Sequence, residues 1–312
     1  MRSIAARAAK RGLLVAGFYR RHLERDRFPG VAVLCYHGVR DDEESASPIP
    51  FRDLHVRVSE LESHCRLIRE ECHPISLRDW VAADAGEREL PPRPVLVTFD
   101  DGYQTVLTRA RPVLEKFRIP AVVFVASEAV RTGHSFWYDR AAVRFGETSV
   151  EEAKSLSHED WRRWERSSVD VEPMVELKAL TPEEIRGLAE HPLFEFGGHT
   201  VTHLILANAD EPTQRREIAE NRRELESWIG RRITAFAYPN GRPGVDYTSA
   251  TVDLVRELDY PMAFSTRPGF ATAEDSRWER PRFLMLAGIS EEELAHRLAF
   301  SWRRGPSPGG KN

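Results

Sequence analysis

Two short segments carry side chains suited to metal-assisted chemistry. The first is Thr98-Phe99-Asp100-Asp101-Gly102-Tyr103, at the end of an apolar run over 95–99. Successive side chains on an extended chain alternate in direction, so one carboxylate can bind a cation while its neighbour stays free as a base. Gly102 lets the backbone turn sharply off the strand; the competing reading is a plain Asp-Gly turn. The second is Gly197-Gly198-His199-Thr200-Val201-Thr202-His203. Histidines spaced His-x-x-x-His share one face if the segment is helical and can then converge on one ion. One carboxylate and two imidazoles leave positions open for water and substrate, as a catalytic metal site requires and a closed structural site does not.

The elements that must position these groups alternate along the chain. Apolar runs of strand length occupy 31–36, 95–99, 121–125, 194–196, 233–237 and 262–265. Helical patterns lie between them, over 54–69 with Asp53 as N-cap, over 106–117, 211–228 and 248–258. Repeated strand–helix units predict a parallel sheet with helices outside, and chemistry at the edge where strands end and loops begin. Both segments fall at that edge. The stretch 131–181 breaks the rhythm. It is charged and helical in pattern, carries Trp137, Trp161 and Trp164, and reads as an insertion able to cap the cleft.

Thr-Phe-Asp-Asp-Gly followed about a hundred residues later by His-Thr-x-x-His resembles the polysaccharide deacetylase family, also called the NodB-homology family or carbohydrate esterase family 4. The resemblance spans about 31–286. It implies an α/β fold, a distorted (β/α)7-type barrel with a mainly helical insertion. It also implies Asp101, His199 and His203 as ligands of one divalent metal ion, Asp100 as general base, and a Thr200 hydroxyl steadying the histidine loop. Phe236-Ala237-Tyr238-Pro239-Asn240-Gly241 matches a further family segment that walls the groove, with Tyr238, Pro239 and Asn240 at the substrate and the Asn240 N–H on the oxyanion. Here the chain departs from the commonest form, which has an arginine at position 237 and an aromatic at 240. In the family that arginine orients the catalytic base, and Arg282 resembles an arginine that takes over this tether in one branch, although a surface arginine is the competing reading. The usual C-terminal Leu-x-His acid is also missing, and His296 sits inside a helical pattern. Tyr36-His37-Gly38 resembles the early Tyr-His of the branch with permuted motifs, that of the poly-N-acetylglucosamine deacetylases, which makes His37 the acid. The bland reading of His37 is a residue closing a strand–loop turn.

The implied activity is hydrolysis of an N-acetyl group on an amino sugar, a carbon–nitrogen bond outside peptides. Zinc is the expected ion, with cobalt, nickel and manganese compatible with the same donors. Two alternatives keep or discard the chemistry: a deformylase or amidase acting on a lipid-linked amino sugar or cyclic amide, and an inactive carbohydrate-binding protein. Trp137 and Tyr138 could stack on a sugar or simply pack the insertion onto the barrel.

The bulk properties agree. The 312 residues are 41% hydrophobic and 30% charged, enough for one large domain over 31–303. A net charge of −4 argues against a nucleic-acid partner. The three cysteines, Cys35, Cys65 and Cys72, form neither a disulfide framework nor a thiolate zinc site. Residues 1–30 are basic, with Arg2, Arg7, Lys10, Arg11, Arg20, Arg21, Arg25 and Arg27 against Glu24 and Asp26. Their apolar stretch over 12–18 is too short to span a bilayer. It reads either as an amphipathic helix on an anionic membrane surface or as a helix packed on the domain. With no clear export signal, the expected location is the cytoplasm or the inner face of the membrane. Residues 304–312 read as a disordered tail.

Overall fold

The computed structural model describes residues 2–25, 28–43, 49–166 and 177–301; the tail over 304–312, Asp26 and Arg27 lie outside them. Helices α1 (Arg2–Val15) and α2 (Phe18–Arg25) lead into β1 (Ala32–Tyr36). A small pair, β2 (Val39–Arg40) and β3 (Val56–Arg57), precedes α3 (Val58–Glu71), β4 (His73–Pro74), α4 (Leu77–Asp84) and β5 (Pro94–Phe99). Then come α5 (Arg111–Phe117), β6 (Ala121–Val125) and α6 (Ser127–Thr132), followed by the insertion helices α7 (Trp137–Phe145), α8 (Glu147–Ala153) and α9 (His158–Glu165). The chain returns through α10 (Pro182–Ala189) to β7 (Phe194–Gly198), α11 (Glu211–Ile229), β8 (Ala235–Ala237), α12 (Ser249–Glu257), β9 (Met262–Phe264), β10 (Phe283–Leu284) and α13 (Glu291–Phe300).

The main sheet is parallel, in the order β10-β1-β5-β6-β7-β8-β9, with β4 beside the start of β5. A parallel bridge between Phe264 and Arg280 joins β9 to the segment entering β10, which curls the sheet into a distorted (β/α)7 barrel. Strand alternation divides the apolar residues into two clusters. Val33, Leu96, Val122, Phe124, Ala237 and Phe264 belong to one; Leu34, Val97, Phe99 and Val123 pack in the larger one with the helices. By the same period of two, Cys35 and His37 continue the row of Val33, and Thr98 and Asp100 the row of Leu96. The polar site therefore sits at the carboxyl end of the barrel's inner cluster.

Several local expectations change. The helix expected over 54–69 begins only at Val58, because Arg52–Leu54 forms a 3-10 turn and β3 intervenes. Its N-terminal position is Arg57, whose N–H donates to Glu60 at 2.8 Å, so Asp53 is not the N-cap. The first part of the helix expected over 106–117 is a π-helical segment, Val106–Ala110. The His-x-x-x-His segment is not helical at all. Thr200 and His203 have φ of 64° and 56°, and a left-handed turn brings the two imidazoles together instead.

The basic N-terminal segment packs on the domain. Tyr19 and Leu23 are buried, Tyr19 meets His296 at 3.2 Å, and Lys10 pairs with Glu293. Leu13, Val15 and Phe18 remain exposed. No helix among the described residues is long and apolar enough to cross a membrane. All three cysteines are buried free thiols.

Candidate metal centre

β5 delivers the carboxylates and β7 the histidines to strand ends on either side of β6, which pairs with both. Asp101 leaves the strand with φ 72°, and its carbonyl accepts the Ala126 N–H at 3.0 Å. Its Oδ1 lies 3.4 Å from His199 Nε2 and 3.3 Å from His203 Nε2, yet it has no hydrogen-bond partner although buried. His199 donates its other ring nitrogen to the Ala237 carbonyl at 2.7 Å, which turns Nε2 towards Asp101. An acceptor oxygen facing two imidazole nitrogens, buried and unsatisfied, is the donor set that a divalent cation satisfies. The residues present fit the implied metal.

The electrostatics suit the same occupant. Burial alone would raise the Asp101 carboxyl, but the imidazoles facing it hold it well below the usual carboxylate range. Burial, opposed by Asp101, pushes His203 down towards the neutral form that a metal ligand needs.

Several residues beyond the candidate ligands shape the histidine loop. Asn221 on α11 is wholly buried, accepts the His199 N–H at 3.0 Å and donates to the carbonyls of Val125 and Thr200 at 2.9 and 2.6 Å. Glu217, also on α11, accepts the Thr202 N–H at 2.9 Å, and the Thr200 hydroxyl accepts that of Leu204 at 3.3 Å. Sequence reasoning missed Asn221 and Glu217. Their only signal was polar residues on the inner face of a long, mostly polar helix. The two glycines before His199 have a steric cause. A Cβ at Gly197 would fall 2.3 Å from the Phe124 ring, and one at Gly198 2.7 Å from Asn221 Oδ1.

Asp100 points into the cleft and is held by Arg282. The guanidinium donates Nη1 to Oδ1 at 2.7 Å and Nη2 to Oδ2 at 2.8 Å, while Nε is fixed by the Ser265 carbonyl at 3.0 Å. Arg282 has 0% exposure, which overturns its reading as a surface arginine. The Cys35 thiol adds a donor to Asp100 Oδ2 at 3.4 Å. Burial would raise the Asp100 carboxyl; Arg282 first, then His199, outweighs it and keeps the group below its ordinary range.

His37, Asp100, Asp101, His199, His203 and Asn240 all line one cleft of about 480 Å³. His37 is half-buried with its Nδ1 unpartnered. Asn240 has φ 55°, and its side-chain nitrogen has no partner. Tyr238 does not line the cleft. Its ring stacks on Tyr247 at 3.9 Å and its hydroxyl donates to the Trp278 carbonyl at 2.9 Å, so this segment meets the cleft through Asn240. Pro239 accepts the Gly241 N–H at its carbonyl. His296, on α13, is far from this constellation and packs on Tyr19 and Phe300.

The insertion roofs the cleft. The Tyr103 hydroxyl donates to Asp139 on α7 at 2.8 Å, which ties the Asp-Asp-Gly turn to the insertion. Burial pushes the Asp139 carboxyl well above its usual range, against the Tyr103 hydrogen bond. Trp137 packs edge-on against Trp161 and Trp164, and Tyr138 lies against His203 at 4.9 Å; both also line the cleft.

Comparison with known proteins agrees with this architecture. The chain is 24% identical over 291 residues to the poly-beta-1,6-N-acetyl-D-glucosamine N-deacetylase of Escherichia coli K12, an alignment covering 89% of this chain and 40% of that protein. It is 21% identical to the putative polysaccharide deacetylase YxkH of Bacillus subtilis, over 83% of this chain and 72% of that one. Among solved structures, the Streptococcus pyogenes deacetylase PplD superposes with a TM-score of 0.65 at 18% identity, covering 86% of this chain and 98% of the other. IcaB from Ammonifex degensii gives 0.61 at 22% identity, covering 86% and 97%. The family model for polysaccharide deacetylase matches residues 87–263, and with that match over more than half its length the chain belongs to the polysaccharide deacetylase family.

Proposed function

We propose that the chain is a metal-dependent N-deacetylase acting on an amino sugar of a polysaccharide or glycoconjugate. The observation that carries this reading is the buried Asp100–Arg282 pair beside the unsatisfied Asp101–His199–His203 set, in one cleft. A divalent ion held by Asp101, His199 and His203, zinc by preference, would supply the acidification of a water molecule and the polarisation of an acyl carbonyl. Asp100, ionised and locked in orientation by Arg282, accepts the proton of the attacking water. The Asn240 N–H, at the cleft, would donate to the oxygen that becomes negative as the carbonyl is attacked. His37, with a ring nitrogen within 4.8 Å of an Asp100 carboxylate oxygen, hands a proton to the departing amine. Base and acid are thus a carboxylate held charged and a separate imidazole, the division of roles that such a hydrolysis requires.

The likeness to poly-beta-1,6-N-acetyl-D-glucosamine deacetylases supports an N-acetylglucosamine polymer as the substrate, although the chain spans only about 40% of the Escherichia coli relative. The test is acetate release from N-acetylated oligosaccharides, set beside N-formyl and lipid-linked amino sugars, after chelation and after metal is restored. Acetate formed only with metal supports the reading. Formate release alone favours the deformylase, and binding without turnover favours a carbohydrate-binding protein.

A further inference from the structure

Phe51 is an aromatic residue held in the left-handed region, at φ 49° and ψ 38°. An L side chain there is strained, and glycine or asparagine would avoid most of that strain. Something in the surroundings must fix it. The Phe51 N–H donates to Glu147 at the start of α8, at 2.8 Å, and the Phe51 carbonyl accepts the Leu54 N–H at 2.8 Å. The first bond anchors the loop to the insertion. The second opens the 3-10 turn that leads into β3, which pairs with β2 just beyond His37.

The clamped ring lies at the cleft. Phe51 lines it together with Tyr138, and the two rings meet edge to face at 6.3 Å and 69°. Tyr138 in turn lies against the ligand His203, so Phe51 stands one ring further out from the metal centre. The Lys154 ammonium sits 6.0 Å over the Phe51 ring and pairs with Glu151 at 2.6 Å; both of these residues also line the cleft. An aromatic face flanked by a cation and a carboxylate offers what a pyranose takes: a flat apolar surface for its C–H face and polar groups for its hydroxyls.

We propose that Phe51, backed edge-on by the buried Tyr138, forms a stacking ledge for the sugar next to the one being deacetylated, held in register by the Glu147 tether between the loop before β3 and the insertion. The ledge selects oligomers over single sugars. It rests on the reading of the cleft as a deacetylase site and adds a subsite to it.

The experiment measures binding separately from turnover. Affinity for a short β-1,6-linked N-acetylglucosamine oligomer and for N-acetylglucosamine itself is measured by calorimetry on the metal-loaded wild-type protein and on F51A, F51W and E147A. Acetate release is followed in parallel. F51A should lose about tenfold in affinity for the oligomer and several-fold less for the monosaccharide. F51W should restore oligomer binding, and E147A should weaken it although Glu147 does not line the cleft. Equal losses on both ligands, an F51A or E147A protein binding as wild type does, or wild type that binds no oligomer would each overturn the ledge. Oligomer binding with the expected pattern but no acetate release would leave the ledge standing and remove the deacetylase reading instead.

Discussion

Arg282 and Asp100 meet through two parallel hydrogen bonds, at 2.7 and 2.8 Å, across the intervening strand β1. The guanidinium comes from the last strand's approach and the carboxylate from the end of β5, 182 positions earlier. A planar fork that matches a carboxylate in this way fixes orientation as well as charge.

R282K should therefore fail to substitute. It keeps the charge but loses the fork, and kcat for N-acetyl hydrolysis should fall on the order of a hundredfold. R282M leaves Asp100 buried without its partner and should cost about 3–5 kcal/mol of stability. Urea unfolding and acetate release read the two effects. A fully active R282K protein would refute the orienting role.

Metal binding and base function should separate by residue. D101A, H199A and H203A should lose bound metal in elemental analysis and lower the melting temperature towards that of chelated wild type. D100N should keep its metal and lose activity by on the order of 10²-fold or more. Metal retained in D101A would displace the ligand assignment.

The acid has its own signature. H37A should lower amide hydrolysis on the order of 10²–10⁴-fold. It should affect an aryl acetate ester much less, because that leaving group departs without a proton. Equal losses on both substrates would argue against His37 as proton donor.

Acid sensitivity should arise partly away from the site. His64 on α3 is buried, donates Nε2–H to the Ile289 carbonyl at 2.8 Å and accepts the Tyr36 hydroxyl at Nδ1, at 3.1 Å. Burial lowers it to about 4, against the bond to Ile289, so the folded protein holds it neutral. A depressed folded value means that its contribution is intact above the unfolded value of about 6.5 and is lost as pH falls towards 4. Unfolding free energy should drop through that window, and H64N should flatten the drop while lowering stability at neutral pH. An unchanged pH slope in H64N would assign the acid sensitivity elsewhere.

The N-terminal helices allow a simpler check. Leu13, Val15 and Phe18 are exposed beside the exposed Arg11, so we propose that this corner, although the segment packs on the domain, can also contact an anionic surface. Sedimentation with vesicles containing phosphatidylserine should carry the protein down, and L13E/F18E should release it. Equal sedimentation of both proteins would end that reading.

Much of the barrel was legible in the sequence because a buried parallel strand is written as a short continuous apolar run, as at Val95, Leu96 and Val97. The candidate ligands were legible because their types and spacing are local. What escaped was long-range or conformational. The tether of Asp100 by Arg282 was readable only through the family resemblance; nothing in the residues around Arg282 announces a partner at the end of β5, so its burial had to come from the folded chain. The convergence of His199 and His203 depends on left-handed residues in the turn between them, which a helical reading of the spacing cannot supply. Phe51 escaped for the same reason: its backbone conformation contradicts its residue type and is imposed by Glu147, from a segment distant in sequence.

β1 is the strand through which β10 joins the rest of the sheet, and that has a consequence for when the protein becomes active. During synthesis Asp100, Asp101 and both histidines emerge well before Arg282, so on the proposed reading the base is the last of these groups to gain its partner. Only the docking of the final strand supplies the fork. On that reading, hydrolytic competence would be a late checkpoint of folding.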